Sequence, residues 1–346
     1  MKIKDLTSYL ESIAPTAHQE SYDNAGLIVG DPNTPLKGVV ICLDSTEEVI
    51  EEAIKKKCNL VIAHHPIVFK GLKKLNGKNY VERVIIKAIK NDIAIYAIHT
   101  NLDNVYHQGV NAKIADKIGL INTRILVPKK NLKKLSLITP IAASDVLRGA
   151  LLKAGVESEQ SSYASVGVEH QNGASNAAVK MEVLFQANRE RAVLKAVHDH
   201  HPLVSPTYNI QSVENNNLRV GSGMIGVLEV PIHEKPFLKQ LKREMEINCI
   251  RHTKLRGRKI STVAVCGGSG SFLLPHAKAQ GADIFITADY KYHEFFDADN
   301  QIVIADIGHY ESEQFTIDLL FEIITNKFSN FAARCTKVNT NPIKYL

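Results

Sequence analysis

Cysteine is scarce and scattered. Of 346 residues only five are cysteine (Cys42, Cys58, Cys249, Cys266 and Cys335), and no two form a CxxC pair. An odd number of distant thiols excludes a disulfide framework and leaves no thiolate zinc motif. Long apolar runs are missing too: none approaches the roughly 18 residues that span a bilayer, so a membrane is not an expected partner. Met1 to Asp5 leads straight into an amphipathic pattern rather than a signal peptide, and a cytoplasmic location is expected. Charged residues make up 23% and hydrophobic residues 45%, which excludes a disordered chain and permits a large core. Histidine, by contrast, is plentiful. There are 14, several in short clusters beside carboxylates, so a metal site in this chain is a nitrogen and oxygen site.

At about 150 residues per domain, the length predicts two domains, or one interrupted by another. Ile3, Leu6, Leu10 and Ile13 follow helical spacing, and Pro15 ends that helix. Short apolar strands at Gly38–Leu43, Asn59–Ala63 and Ile93–Ile98 then alternate with helices at Glu47–Lys57 and Tyr80–Asn91. The same order resumes after residue 260, with strands Ile260–Cys266, Ile284–Ala288 and Ile302–Asp306 and helices Phe272–Gln280 and Tyr310–Phe328. Such alternation predicts an α/β fold with a mostly parallel sheet covered on both faces.

The middle departs from this spacing. Helices at Ser144–Ala154 and Arg189–His200, a polar stretch at Ser158–Asn176, strands at Lys180–Phe185, Tyr208–Glu214 and Met224–Pro231, and a helix from Pro236 suggest a ferredoxin-like α+β insertion. The expected domains are therefore 1–128 plus 258–346, discontinuous, with 129–257 inserted. Net charge is +1 over residues 1–120, +9 over 121–259 and −4 over 260–346. The basic runs Lys129, Lys130, Lys133, Lys134 and Arg251, Lys254, Arg256, Arg258, Lys259 carry no interleaved aromatics, so they read as solvated junctions in preference to a nucleic-acid groove.

Three constellations stand at carboxyl ends of predicted strands, where open α/β sheets bind ligands. His64 and His65, followed by Pro66, close the second strand. Asp103 follows the third. His309 and Glu313, at i and i+4 on the last helix, follow the strand ending at Asp306. Each alone has an ordinary reading: a loop histidine pair, a turn former or helix cap, a surface pair. Their coincidence at one sheet edge supplies five N and O donors, enough for two metal ions, with zinc, iron or manganese all suited. Asp289 and His293, after the strand Ile284–Ala288, are candidates for a catalytic acid/base pair. The second HHP triplet, His200, His201 and Pro202, follows a helix and reads as its end. The Cys266–Ser271 glycine turn is either a tight strand-to-helix turn or an anion cradle.

In order, the HHP triplet at 64–66, the HTNLDN segment at 99–104, the CGGSGS turn, the TADYKYHE segment and the GHYESE helix start resemble the GTP cyclohydrolase I type 2 family, also called Nif-three-like proteins. Asp23–Leu27 looks like that family's opening motif and Asn341–Leu346 like its tail. The resemblance implies a Nif-three-like domain carrying an insertion similar to PII and CutA folds. It also implies two divalent metal ions on His64, His65, Asp103, His309 and Glu313, and a ring-shaped homohexamer. The activity it implies is metal-assisted hydrolysis of the GTP purine ring, making a nucleotide or related heterocycle the expected small-molecule substrate. The competing readings are a non-catalytic, regulatory metal-binding scaffold and a nucleic-acid-associated ring.

Overall fold

In the computed structural model, residues 1–156, 163–171, 174–329 and 331–346 are described. Helix α1 (Ile3–Ile13) buries Ile3, Leu6 and Leu10 on one face, and Asp5 accepts the Lys2 backbone N–H across its first turn. Strands β1 (Gly26–Val29), β2 (Val39–Cys42), β3 (Leu60–Ala63) and β4 (Ala94–Ala97) follow. The last three are buried at every position, as strands covered on both faces must be. Crossover helices α2 (Glu47–Lys55) and α3 (Tyr80–Lys90) begin where Thr46 and Asn79 accept the Val49 and Glu82 N–H groups. The short α4 (Thr100–Asp103) starts almost directly after β4, and α5 (Val110–Lys117) leads to β5 (Leu120–Lys129).

The inserted unit spans Lys129–Asn217. It runs β6 (Leu132–Pro140), α6 (Ile141–Lys153), β7 (Tyr163–Gln171), β8 (Ala174–Gln186), α7 (Glu190–His200) and β9 (Tyr208–Ser212). Its sheet order, β7-β8-β6-β9, with antiparallel pairing throughout, is the ferredoxin-like arrangement. Leu135, Leu137, Leu147, Leu151, Phe185, Val193 and Val197 fill its core. Of the polar stretch 158–176, residues 158–162 and 172–173 lie outside the described residues, and the remainder forms β7 and the start of β8. The His200–Pro202 triplet ends α7, where the His201 backbone N–H closes the last turn on Val197.

The first unit then resumes with β10 (Asn217–His233), α8 (Glu234–Glu244), β11 (Arg251–His252), β12 (Lys259–Ser269), α9 (Leu274–Ala279) and β13 (Ile284–Ala288). It ends with β14 (Val303–Asp306), α10 (His309–Glu313), α11 (Thr316–Lys327) and β15 (Ala333–Cys335). One sheet is β1-β4-β3-β2-β15; the other is β11-β14-β13-β12-β10-β5. Parallel triplets form the centre of each, β2-β3-β4 and β12-β13-β14. A single cluster of buried residues joins Ile41, Ile62 and Tyr96 of the first sheet with Val263, Ile286 and Val303 of the second.

The second boundary therefore lies at 217/218 and not near 258. Residues 218–257 belong with the flanking segments because β10 pairs antiparallel with β12, Met224 opposite Val265 and Val227 opposite Thr262. Gly221 permits the neighbouring strand's approach: a Cβ there would stand 2.3 Å from the Val127 carbonyl oxygen. The basic runs are also largely neutralised where they stand. Lys130, Lys133 and Lys134 pair with Glu214, Glu190 and Glu182, while Arg256 lies against Glu234 and Asp283 and Arg251 bonds Asp306. Among the described residues, no helix is long and apolar enough to cross a membrane.

Candidate metal centre

Four imidazoles meet where β3, β4 and α10 end or begin, and each gives its Nδ1 to a fixed acceptor. His64 Nδ1 lies 2.8 Å from the Ile98 carbonyl oxygen, His65 Nδ1 2.8 Å from Asp44 Oδ1, His99 Nδ1 2.8 Å from Asp23 Oδ1, and His309 Nδ1 2.7 Å from Asp289 Oδ2. A carbonyl oxygen can only accept, so His64 carries its proton on Nδ1 and presents a bare Nε2 lone pair. This outer set of acceptors is what fixes the tautomer and aim of metal-binding histidines.

Glu313 stands at the middle of the cluster. Its Oε1 lies 3.7 Å from His64 Nε2, while its Oε2 lies 2.9 Å from His65 Nε2 and 3.2 Å from His309 Nε2. Asp103 Oδ1 is 3.6 Å from His64 Nε2, too far for a hydrogen bond, and both atoms are buried without a partner. Donor atoms of His64, Asp103 and Glu313 form one compact group, those of His65, His309 and Glu313 a second, and those of His64, His65 and His99 a third. Each group could hold a metal ion. The buried lone pair and carboxylate oxygen, left facing each other, fit a cation better than any protein contact the site offers.

The electrostatics agree. Burial lowers the affinity of His64 for a second proton, so it stays neutral. Burial acts the same way on His65 and His309, but the hydrogen bonds that His65 donates to Asp44 and Glu313, and His309 to Asp289 and Glu313, outweigh it and lift them to about 10 and about 11. Their Nε2 atoms are nonetheless 3.3 Å apart. A proton on either nitrogen and a shared cation would therefore compete for the same place. Burial would raise Glu313, yet hydrogen bonds donated by the charged His309 and His65 hold it well below the usual carboxylate range. Asp103 is raised well above that range by burial and by the charge of Glu313.

The scaffold is arranged around these atoms. Gly308, at φ +91°, caps α10 and sets His309 and Glu313 one turn apart. Gly268, at φ +60°, leaves room for the Glu313 carboxylate, since a Cβ there would stand 2.5 Å from Oε1. Its N–H donates to Ser312 Oγ and that of Gly267 to Asn111 Oδ1, so these two amides of the glycine turn are spent within the fold. Asp306 accepts the Tyr290 and Gly308 N–H groups and thereby pins both turns that carry Asp289 and His309. From the C-terminal tail, Thr340 Oγ1 donates to Asp44 Oδ2 and Asn341 Nδ2 to Glu311 Oε1.

The structure brings His64, His65, Asp103, His309 and Glu313 together. Asp289 reaches the cluster as the acceptor on His309 Nδ1, kept charged by that bond. His293 does not reach it: the side chain is exposed, rests on the Tyr292 ring and lies outside the cavity lining. The acid/base pair expected of Asp289 and His293 is therefore not assembled, because the turn after Lys291 carries His293 outward. Sequence reasoning passed over Asp44, His99 and the anchoring role of Asp23. Asp44 and His99 lie just past the ends of β2 and β4, so the strand-end rule that selected His64 would have found them. Burial opposes the charge on Asp23, but hydrogen bonds from His99 and Thr100 hold it at about 2. A cavity of about 490 Å³ opens on the cluster, rimmed by Tyr22, Phe69, Tyr80 and Tyr310.

Two consequences are measurable. Asp103→Asn removes the partly buried carboxylate that adjoins the buried Glu313, so the variant without metal should unfold at higher temperature than wild type, by about 1–3 kcal/mol in stability. Because the pKa of Asp103 is raised on folding, this gain should vanish at low pH and grow as pH rises through the ordinary carboxylate range. Gly268→Ala should cost more than ~1 kcal/mol and lower bound metal, whereas Gly149→Ala, where a Cβ meets nothing within 4 Å, should leave metal content unchanged. Thermal unfolding and elemental analysis read both.

The chain matches the model of the family Duf34/NIF3 (NGG1p interacting factor 3) over residues 1–342. A GTP cyclohydrolase 1 type 2 homolog of Bacillus subtilis (strain 168) is 31% identical, over 99% of this chain and 98% of that protein. A Bacillus cereus protein related to NIF3 superposes with a TM-score of 0.85 at 31% identity, covering 100% of this chain and 99% of that one. Staphylococcus aureus protein SA1388 does so at 0.83, also at 31% identity, with coverage of 100% and 99%. With its two sheets, its ferredoxin-like insertion and its histidine cluster, the chain belongs to the Duf34/NIF3 family.

Proposed function

We propose that this protein is a metal-dependent hydrolase of the GTP cyclohydrolase type named in its curated relatives, acting on a nucleotide or related heterocycle. The observation that carries the reading is the split of Glu313: one oxygen faces His64, the other faces His65 and His309. A carboxylate shared this way could serve two ions, which His64 and Asp103 on one side and His65 and His309 on the other would hold. Zinc, iron or manganese suits these donors. Two such ions, when bound, supply Lewis acidity and lower the pKa of water.

The chain's own groups do the rest. Asp44 and Asp289 hold His65 and His309 in register, and the aromatic rim offers flat faces to a heterocycle. His99, anchored by Asp23 and lining the cavity, carries a proton at Nε2 to or from the substrate. A homohexamer belongs to the same reading, on the family resemblance, and sedimentation of the loaded protein tests it.

Metal entry must displace the protons on His65 and His309. Both are fully protonated between pH 6 and 8 if their values are about 10 and about 11. Binding should then release protons, and affinity should rise with pH across that range. Calorimetry in buffers of different ionisation enthalpy measures the release; none would contradict the ligand assignment. For activity, loaded protein should open the GTP ring or that of a related heterocycle, and Glu313→Ala should lower the rate at least a hundredfold. A loaded protein inert toward nucleotides, nucleotide esters and cyclic amides is instead a metal-binding scaffold.

A further inference from the structure

The cavity over the cluster is lined by carboxylates, imidazoles, hydroxyls and aromatic rings, and no lysine or arginine is among its lining residues. Its imidazoles His65, His99 and His309 are each paired with a carboxylate, so an anionic substrate tail would find no unpaired cationic side chain there. The rim differs. Between the lining residues Phe69 and Tyr80 runs the loop that follows His64 and His65, and it carries Lys70, Lys73, Lys74 and Lys78 with no acidic residue.

These four lysines are exposed, and among the described residues none has a side-chain hydrogen bond or ion pair. The contrast with Lys130, Lys133 and Lys134, each seated on a glutamate, is direct. The loop is also held at both ends. Asn24 Nδ2 donates to the Val68 carbonyl, and the Glu82 carboxylate accepts from Asn76 N, Lys78 N and Asn79 Nδ2. Phe69 stands edge-on to the His99 ring, centroids 5.8 Å apart, which ties the loop's first residue to the cluster itself.

We propose that the 70–78 loop is the subsite for the phosphate tail of a substrate whose ring lies over the cluster, with Lys73 and Lys74 as specificity-determining residues. The inference rests on the hydrolase reading for the identity of the ring, though not for the charge of its tail. Four exposed lysines without a carboxylate partner stand on a loop bounded by cavity-lining residues, and their compact ammonium groups suit phosphate oxygens as point charges.

The test compares GTP with guanosine on the metal-loaded full chain, by calorimetry at low and high salt. Wild type should bind GTP more tightly, with a salt-sensitive advantage. Lys73→Ala/Lys74→Ala should shrink that advantage about tenfold while guanosine affinity and metal content stay unchanged, and Lys73→Arg/Lys74→Arg should restore it. An undiminished GTP advantage in the alanine variant overturns the proposal, because the phosphates are then held elsewhere. So does a wild type that prefers guanosine or binds neither. Loss of single-stranded oligonucleotide binding with GTP binding intact also overturns it, since the loop then serves a polynucleotide. Turnover plays no part in this readout. A protein that holds GTP through the loop yet opens no ring contradicts the hydrolase reading alone.

Discussion

The site depends on one carboxylate shared between two sets of imidazoles. Glu313 is buried, and an isolated carboxylate at that depth would take up a proton; the surrounding imidazoles keep it charged. Its position requires a helix that begins at once after β14, a left-handed glycine at 308 to start it, and a left-handed glycine at 268 to clear its path. Each of these costs conformational freedom or a side chain. The arrangement leaves 3.3 Å between the Nε2 atoms of His65 and His309 and a buried lone pair on His64 without a partner. Donor atoms converging in this way, on a well-packed scaffold, are the mark of a site built for a ligand.

The scaffold's contribution is rigidity at second hand. Both parallel triplets are buried, and their carboxyl ends set the positions of Asp44, His64, His65 and His99 on one side and Asp289 and Asp306 on the other. No imidazole of the cluster relies on its own rotamer alone: three lean on a carboxylate and one on a backbone carbonyl. The C-terminal tail adds a further layer through Thr340 and Asn341. Displacing the tail or the 289–290 turn therefore acts on the cluster without touching a donor atom.

Much of this was legible in the sequence, for definite reasons. Continuous apolar runs of four to six residues can only be buried strands at that length and spacing, and strand-end histidines inherit their location from topology. The i, i+4 spacing of His309 and Glu313 needed only a helix start. Other features left no such trace. Strand β15 is three residues long, with Arg334 at its middle, so no apolar run marks it. Strand β10 reads as a strand wherever it is placed, and nothing local says that β12 is its partner. The basic cluster at 251–259 resembled a junction because its acceptors, Asp306, Glu234 and Asp283, are distant in sequence. The turn that carries His293 outward is likewise decided by packing beyond its own segment.

The central claim is that these side chains form a centre for two metal ions bridged by Glu313. Anomalous diffraction from crystals of metal-loaded protein, recorded at the absorption edge of the bound metal, tests it most directly. The account predicts two peaks flanking the Glu313 carboxylate, one beside His64 and Asp103 and the other beside His65 and His309. A single peak away from Glu313, or none in protein that elemental analysis finds loaded, would contradict it.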